Sequence, residues 1–435
     1  MEIAIIASLV MVIAVVMLLI IGAPIGVAIG AASTLSMLII LPFDSATATS
    51  AQKMFTGLNS FPLLAIPFFV LAGNIMNNGG IAIRMIHLAE ALCGKMPGSL
   101  AQSNVVANMF FGAISGSGNA AAAAMGGTLG PVEAERGYDV QYSTAVNIAS
   151  APTGMLIPPS NALIVFTTVA TSVSVAGIFM AGYIPGILWG ISVMIVAGYT
   201  ASKRGYVTSE RVTAKQTFKY FLDAIPSLLL VIIVIGGILK GIFTATEASG
   251  IAVAYALILS FIYKSIKIKD LPKIIFSSAQ TTAIIVFLIA VSSIMSWVMA
   301  YTDIPGIVAN AMLAITNNKI VTLLIINLVL LFVGTFMDPT PAILIFTPIF
   351  MPICVDNFGM SAIHFGILIC FNLCIGSITP PVGTILFTGC KIGNTSIESV
   401  FKSLLPYFAA IAVVLMLVTY IPAISEFLPR MFGYL

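Results

Sequence analysis

The stretch Met337-Asp338-Pro339-Thr340-Pro341 interrupts an apolar sequence, and Ile378-Thr379-Pro380-Pro381-Val382-Gly383 interrupts another about 40 positions later. The first half of the chain has two similar interruptions at nearly the same spacing, Ser115-Gly116-Ser117-Gly118-Asn119 and Ile157-Pro158-Pro159-Ser160-Asn161. Glycine and proline that break apolar segments at corresponding places in two halves are typical of the binding site of a membrane transporter. The four interruptions therefore predict both a duplicated fold and the position of its site.

The composition requires a membrane environment. The 435 residues are 60% hydrophobic and only 8% charged, whereas soluble domains are roughly 25% charged. Apolar runs of about 20 residues, enough to cross about 30 Å of hydrocarbon, recur without the period-two alternation of barrel strands. The sequence thus predicts an all-α polytopic membrane protein. Its full spans are predicted at about 3–21, 24–42, 60–77, 174–200, 221–240, 245–263, 277–300 and 404–424.

Four further apolar stretches carry a polar break. The stretches 101–133 and 321–353 are predicted to be re-entrant helical hairpins, and 141–172 and 363–392 to be broken transmembrane helices. Each half then has about five transmembrane helices and one hairpin, and an odd number of crossings makes the two halves inverted repeats. The predicted organisation is a first repeat at 1–202, a basic cytoplasmic linker at 203–220 and a second repeat at 221–435.

The distribution of basic residues orients the chain. With both termini outside, 14 of the 18 lysines and arginines lie on the inner side and 4 on the outer side. An excess of Lys and Arg is typical of cytoplasmic loops. We therefore predict that the N-terminus and the C-terminus are periplasmic and that the loop 203–219 is cytoplasmic.

The breaks have a chemistry suited to small ions. Non-helical backbone at membrane depth is stable only inside protein or along a wet cavity. A hairpin tip there presents the carbonyl oxygens of one helix end and the amides of the next helix start, which suit Na⁺ and a carboxylate respectively. The predicted Na⁺ ligands are Ser115, Gly116, Ser117, Asn119 and Pro158 in the first half, and Gly334, Thr340, Gly376 and Thr379 in the second. The predicted substrate contacts are Ser117, Asn119, Ser160, Asn161, Pro339 and Pro381.

A simpler interpretation is that glycine and proline only kink these helices. The Pro-Pro pairs at both second breaks argue against it, because no continuous helix accommodates them without a large energetic cost.

Two acids lie near helix starts. Asp338 is either a cation ligand or a cap on the helix that begins at Pro339, and we favour the cap. Glu247 is predicted to complement the dipole at the start of its helix.

Together these stretches make the chain resemble the large membrane (M) subunit of the tripartite ATP-independent periplasmic (TRAP) transporters. The matching segments are 61–69, 115–117, 157–160, 241–248, 337–340 and 379–383. The resemblance implies an elevator-type fold of the ion-transporter superfamily in the bacterial inner membrane. It also implies Na⁺-coupled symport of an organic anion, such as sialic acid or a C4-dicarboxylate, from the periplasm into the cytoplasm.

The resemblance further implies two partners, a small four-helix membrane subunit (Q) and a periplasmic substrate-binding protein (P). One departure concerns the first hairpin, where members for dicarboxylates and sugar acids often have an acid and this chain has the alanines 120–124. A bulkier monocarboxylate such as sialic acid then becomes a candidate substrate. Beyond Na⁺ as the coupling ion, we expect no cofactor, no transition metal and no nucleic acid.

Three alternatives remain at this stage. The first is a carrier like the divalent-anion/Na⁺ symporters that works without a binding protein, and the second is a passive channel. The third is an intramembrane hydrolase, but position 115 is Ser where the GxSxG elbow needs Gly. The phosphate loop GxxxxGK[ST] has no match, so ATP is not expected to be the direct energy source. The prediction is therefore a transporter subunit and not an enzyme.

Overall fold

The protein is described here by a computed structural model that covers residues 2–206 and 214–435. Within these ranges all regular structure is helical. Eight of the helices there have the length and apolar composition needed to cross a membrane. The predicted all-α polytopic class is confirmed.

Residues 2–206 contain ten α-helices. They are α1 (Glu2–Ile20), α2 (Ile25–Ile40), α3 (Phe43–Leu58), α4 (Ala65–Asn78), α5 (Ile81–Cys93), α6 (Ser99–Ser115), α7 (Gly118–Glu135), α8 (Val140–Ser150), α9 (Asn161–Val169) and α10 (Val175–Arg204). Helices α6 and α7 pack against each other, and they occupy the stretch predicted as the first hairpin. Helices α8 and α9, separated at residues 151–160, occupy the first predicted broken helix.

The second described range, residues 214–435, contains ten more α-helices. They are α11 (Ala214–Leu239), α12 (Ala245–Ile262), α13 (Leu271–Tyr301), α14 (Ile304–Ile315), α15 (Lys319–Gly334), α16 (Pro339–Pro352), α17 (Ala362–Gly376), α18 (Thr384–Ile392), α19 (Ile397–Tyr420) and α20 (Ala423–Met431). Helices α15 and α16 pack against each other at the second predicted hairpin. A π-helical turn extends α16 to Asn357, which makes this arm as long as a full span.

Four of these helices have no counterpart among the predicted spans. Helices α5, α14 and α20 have fewer than 15 residues, and α3 includes exposed polar residues such as Asp44 and Gln52. A search for long apolar runs cannot find such helices, because its signal comes from about 20 consecutive apolar residues. The predicted linker 203–220 is also helical at its edges, and its residues 207–213 lie outside the described ranges.

The hairpin tips have specific local causes. Helix α6 ends because Gly116 adopts a left-handed conformation with φ 62°, and its N–H donates to the Gly112 carbonyl at 2.7 Å. Ser117 is then extended, and its hydroxyl accepts from the Ala120 N–H at 3.3 Å to start α7. In the second hairpin, Asp338 precedes α16 and Pro339 occupies its first position.

Each hairpin lies against a broken helix through two glycines. A methyl group on Gly154 would overlap the backbone of Gly112, and one on Gly376 would overlap the backbone of Gly334. The interval between the glycines is the same in both halves, and a cis-linked Pro-Pro pair begins four residues after the second glycine in each half. These two contacts place both hairpin tips beside the chain breaks that follow them.

We predict that Gly376→Ala destabilises the protein by about 1–3 kcal/mol or more, because the added methyl overpacks a backbone contact. The matched control is Gly250→Ala in the interior of α12, where a methyl group meets no atom within 4 Å. That control is expected to be neutral or stabilising by roughly 0.5–1 kcal/mol. Thermal unfolding in detergent measures both changes, and equal melting of the two variants would contradict the close contact.

Candidate functional site

A cavity of about 750 Å³ lies where the two hairpin tips and the two broken helices meet three flanking helices. The flanking wall consists of the first turn of α2, the middle of α4 and residues 281–288 of α13. Most of this wall is apolar, whereas the opposite wall carries hydroxyl, amide and backbone groups. A largely apolar cavity with a few convergent polar groups is the usual form of a small-molecule site.

Besides α2 in the flanking wall, four helices begin at this cavity. Its lining includes the first residues of α7, α9, α16 and α18, namely Gly118, Asn119, Asn161, Ala162, Pro339, Thr340, Thr384 and Ile385. The N-terminus of a helix carries a partial positive charge and unpaired N–H groups. Four such ends around one cavity therefore create a site for an anionic group that needs no lysine or arginine.

An acid occupies one of these four helix starts, so the starts of α7, α9 and α18 are the ones left for an anion. Among the described residues that line the cavity, Asp338 alone has an ionisable side chain. Its carboxylate accepts a hydrogen bond from the Thr340 N–H at 3.2 Å and so caps α16. The acid is thus engaged with a helix start at the edge of the cavity.

The two halves of the chain interlock at the first hairpin tip. Asn119 of α7 donates its amide to the Thr384 hydroxyl at 3.5 Å, and its oxygen accepts from the Thr388 hydroxyl at 3.0 Å. A methyl group on Gly118 would collide with Ile385. The tip of hairpin α6–α7 therefore rests on the broken helix of the second half.

Many of the residues predicted to bind Na⁺ or substrate line this cavity. The predicted ion and substrate residues among its lining are Ser115, Gly116, Ser117, Asn119, Asn161, Pro339 and Thr340. Within this set, the Ser117 N–H donates weakly to the Ser115 hydroxyl at 3.4 Å. Gly116 lies close to the start of α9, since a methyl group there would be 3.2 Å from the Asn161 nitrogen atoms.

The remaining predicted residues lie outside the lining. Pro158 and Pro381 belong to the cis-linked pairs, Gly334 and Gly376 are in backbone contact, and Ser160 and Thr379 make local hydrogen bonds. The Ser160 hydroxyl donates to the Met155 carbonyl and accepts from the Leu163 N–H at the start of α9. The Thr379 hydroxyl donates to the Ile375 carbonyl at 2.7 Å. These six residues shape the breaks around the cavity.

Several lining residues have no sequence signal of their own. Thr384 lines the cavity from the start of α18, Asn74 from α4 and Thr281 from α13. Asn74 donates to the Ser278 hydroxyl at 2.8 Å and so links two flanking helices. Single polar residues inside regular apolar helices leave no break in the pattern, which is why the sequence did not indicate them.

The second predicted cap lies away from this cavity. Glu247 and Thr244 form a reciprocal capping box at the start of α12, with the Thr244 N–H donating to the carboxylate at 2.8 Å. Thr246 beside them donates to the Phe61 carbonyl at 3.0 Å. Glu247 therefore has a structural partner at the helix start where the sequence placed it.

An all-helical membrane fold with a central cavity built from broken helices defines a membrane transporter. The family described as tripartite ATP-independent periplasmic transporter, DctM component, matches residues 12–424. The chain belongs to this family, which confirms the resemblance to the TRAP large membrane subunit. It is accordingly a multi-pass membrane subunit of a transporter, and several of its relatives are named as permeases.

Three relatives show the range of the similarity. The chain is 52% identical over 416 residues to the uncharacterized protein YgiK of Salmonella typhimurium, covering 96% of this chain and 95% of the relative. It is 38% identical to the isethionate TRAP transporter permease protein DctMQ of Oleidesulfovibrio alaskensis, covering 94% of this chain and 64% of the relative. It is 35% identical to the C4-dicarboxylate TRAP transporter large permease protein DctM of Rhodobacter capsulatus, covering 96% and 97%.

A solved structure shares the fold. The crystal structure of the Alcanivorax borkumensis YdaH transporter matches with a TM-score of 0.61 and 13% sequence identity. The match covers 91% of this chain and 90% of that chain. At this identity the likeness concerns the arrangement of the helices.

We predict that Asn119 and Thr388 are energetically coupled. A double-mutant cycle with Asn119→Ala and Thr388→Val should show a coupling of about 0.5–1.5 kcal/mol, because each single change breaks the same partly buried hydrogen bond. Thermal or chemical unfolding in detergent provides the four stabilities.

The control replaces Thr388→Val with Thr128→Val, an exposed threonine of α7 whose hydroxyl bonds only to its own helix at 2.8 Å. That cycle should be additive within roughly 0.3–0.5 kcal/mol. Equal coupling in the two cycles would show that the first tip does not depend on the contact with α18.

Proposed function

We propose that this chain is the large permease subunit of a TRAP transporter that carries an organic anion into the cytoplasm together with Na⁺. The observation that supports this most strongly is that the starts of α7, α9, α16 and α18 converge on one cavity, and the described residues of its lining include no lysine or arginine. An anion bound there is stabilised by the positive ends of the helix dipoles. The anion can therefore bind without a lysine or arginine, whose permanent charge would also slow its release.

The same breaks provide sites for the coupling ion. At each tip, carbonyl oxygens of an ending helix lie beside hydroxyl and amide oxygens, as with Ser115, Ser117 and Asn119 in the first half and Thr340 in the second. Uncharged oxygen clusters at unwound helix ends are the form that Na⁺ sites take in such carriers. We propose one Na⁺ site beside each hairpin, with the predicted residues outside the lining contributing through their backbone.

The helix order supports inverted repeats and an elevator movement. In both halves a hairpin, a broken helix and a long helix follow in that order. The cavity separates the tips and broken helices from a group formed by α2, α4 and α13, whose members pack on one another. We propose that the tip-bearing part slides against this second group and so exposes the cavity to each side in turn, with both termini periplasmic.

Family membership supports two partners, a small membrane subunit and a periplasmic substrate-binding protein. Helix α1 is suited to contacts with lipid or with a membrane partner, because only 11% of its apolar segment Ile3–Ile20 is buried inside this chain.

A carrier that works without a binding protein and a passive channel are the remaining alternatives. A channel would need a continuous polar path, whereas the polar groups here surround a cavity between packed helices.

The substrate is proposed as a class only. The relatives are named for isethionate and for C4-dicarboxylates, which are both small organic anions. The cavity of about 750 Å³ is large enough for a sugar acid such as sialic acid as well. Thermal-shift screening of organic acids against the binding protein is the most direct way to identify it.

We predict that transport requires Na⁺. Proteoliposomes containing the complete complex should exchange labelled substrate in Na⁺ buffers, and replacement of Na⁺ by K⁺ should reduce this counterflow to background, because the empty ion sites leave the tips unable to bind the anion. Asn119→Ala is expected to raise the Na⁺ concentration needed. Counterflow that is equal in both salts would contradict ion coupling.

We also predict that the membrane potential drives accumulation of a monocarboxylate. If two Na⁺ accompany it, one surplus positive charge moves inward and gains about 2.3 kcal/mol at 100 mV, which is roughly 50-fold in accumulation. A valinomycin-induced K⁺ diffusion potential tests this in proteoliposomes, and a transported dicarboxylate is the electroneutral control. Equal accumulation of the monocarboxylate with and without the potential would indicate that a single Na⁺ accompanies each substrate molecule.

A further inference from the structure

A second cavity, of about 360 Å³, lies at the end of the first hairpin that is remote from its tip. Its walls come from α6, α7, α8 and the end of α18, and it shares no lining residue with the cavity at the tips. One wall contains Glu133, which lies in the last turn of α7 and is 0% exposed. We call this group of residues the hairpin base.

The carboxylate of Glu133 has no partner of its own. Within the described ranges, neither of its oxygens accepts a hydrogen bond, although Asn104 and Ser143 face it. The Asn104 amide nitrogen and the Ser143 hydroxyl are themselves buried without a partner. An ionised carboxylate taken out of water costs several kcal/mol unless an opposite charge is present.

The electrostatic surroundings add to this cost. The C-terminal end of a helix carries a partial negative charge, and α7 ends at Glu135 without a basic residue in its last turn. Among the described residues that line the cavity there is no lysine or arginine. The nearby guanidinium of Arg204 is already paired with Asp139 at 2.6 Å. Arg136 directly follows α7, but it is exposed and does not line the cavity. Among the described residues of the lining, Glu133 therefore has no basic partner.

Ser143 and Thr144 bring hydroxyl groups to the lining of the same cavity. Asn108 donates to the side-chain oxygens of Asn104 and Asn147 at 2.9 and 3.0 Å, which fixes both amides with these oxygens directed at Asn108. The side chain of Thr144 lines the cavity beside them. One carboxylate with neutral oxygens is a donor set for a hard cation, and a single charge favours a monovalent ion.

The fold itself does not require these polar residues. At the same intervals from the glycine contact of the second hairpin, Val355 stands in place of Glu133 and Ile326 in place of Asn104. Ile326 is completely buried. The second hairpin thus has apolar residues at these two positions, so its packing does not require an acid or an amide there.

We propose that the hairpin base binds a monovalent cation of the Na⁺ type, held by the Glu133 carboxylate with oxygens of Ser143, Thr144 and Asn147. The rim of the cavity includes the exposed residues Ala134 and Asn394, which provide access from the surface. The ion neutralises the buried acid and fixes the end of α7 to the start of α8. This site is separate from the ion sites proposed at the tips.

Hydrogen exchange followed by mass spectrometry tests the site on the full-length protein in its transporter complex, without any transport measurement. Na⁺ in place of N-methylglucamine should slow exchange at least ten-fold in peptides covering residues 126–147. Glu133→Gln, which preserves shape but removes the charge, should abolish this difference. Asn119→Ala, a change at the tip, should leave it intact.

Three outcomes would overturn the proposal. The first is an exchange rate in the wild-type peptides that is the same with and without Na⁺. The second is a Na⁺-dependent slowing of exchange that is still present in Glu133→Gln. The third is a slowing that disappears in Asn119→Ala, because this would show that Na⁺ acts from the hairpin tip. If Glu133→Gln fails to fold, Ser143→Ala keeps the carboxylate and should raise the required Na⁺ concentration about ten-fold. An unchanged Na⁺ requirement in Ser143→Ala would also reject the site.

Discussion

Every peptide group that leaves a helix inside this protein must find a partner, because lipid and apolar core provide none. At the breaks, short-range backbone hydrogen bonds satisfy this constraint. The Gly116 N–H returns to the Gly112 carbonyl at 2.7 Å, and the N–H groups of Val382 and Gly383 donate to the Thr335 carbonyl at 3.2 and 3.3 Å. The hydrogen bonds to Thr335 join the second hairpin tip to the broken helix beside it. The cavity exists because these satisfied breaks meet at one place.

The two buried acids of the hairpins illustrate how position decides the state of a charge. Asp338 lies at the start of α16, where its carboxylate accepts from the Thr340 N–H and faces the positive end of the helix dipole. Glu133 lies near the end of α7, where the dipole is negative and its oxygens have no partner among the described residues. The first acid is satisfied by the chain itself. The second is the reason to place a cation at the hairpin base.

Much of the architecture could be predicted because breaks in an apolar chain are conspicuous. The hairpin tips and the start of α9 were located to within a few residues, and Ser117 and Asn161 do line the cavity. The short helices α3, α5, α14 and α20 were missed, since they lack a long apolar run. Thr384 and Thr388 were missed too, because polar residues at regular helical positions do not differ in sequence from ordinary packing residues.

The sequence by itself determined the membrane class and the four places where helices break, because composition and Gly/Pro patterns are local properties of the chain. Only the tertiary structure decided that Gly334 touches Gly376, that Asn119 bonds to α18, and which residues line the cavity. It also decided that Glu133 is buried unpaired beside Asn104. These are contacts between segments far apart in the chain, and they depend on how the helices pack in three dimensions.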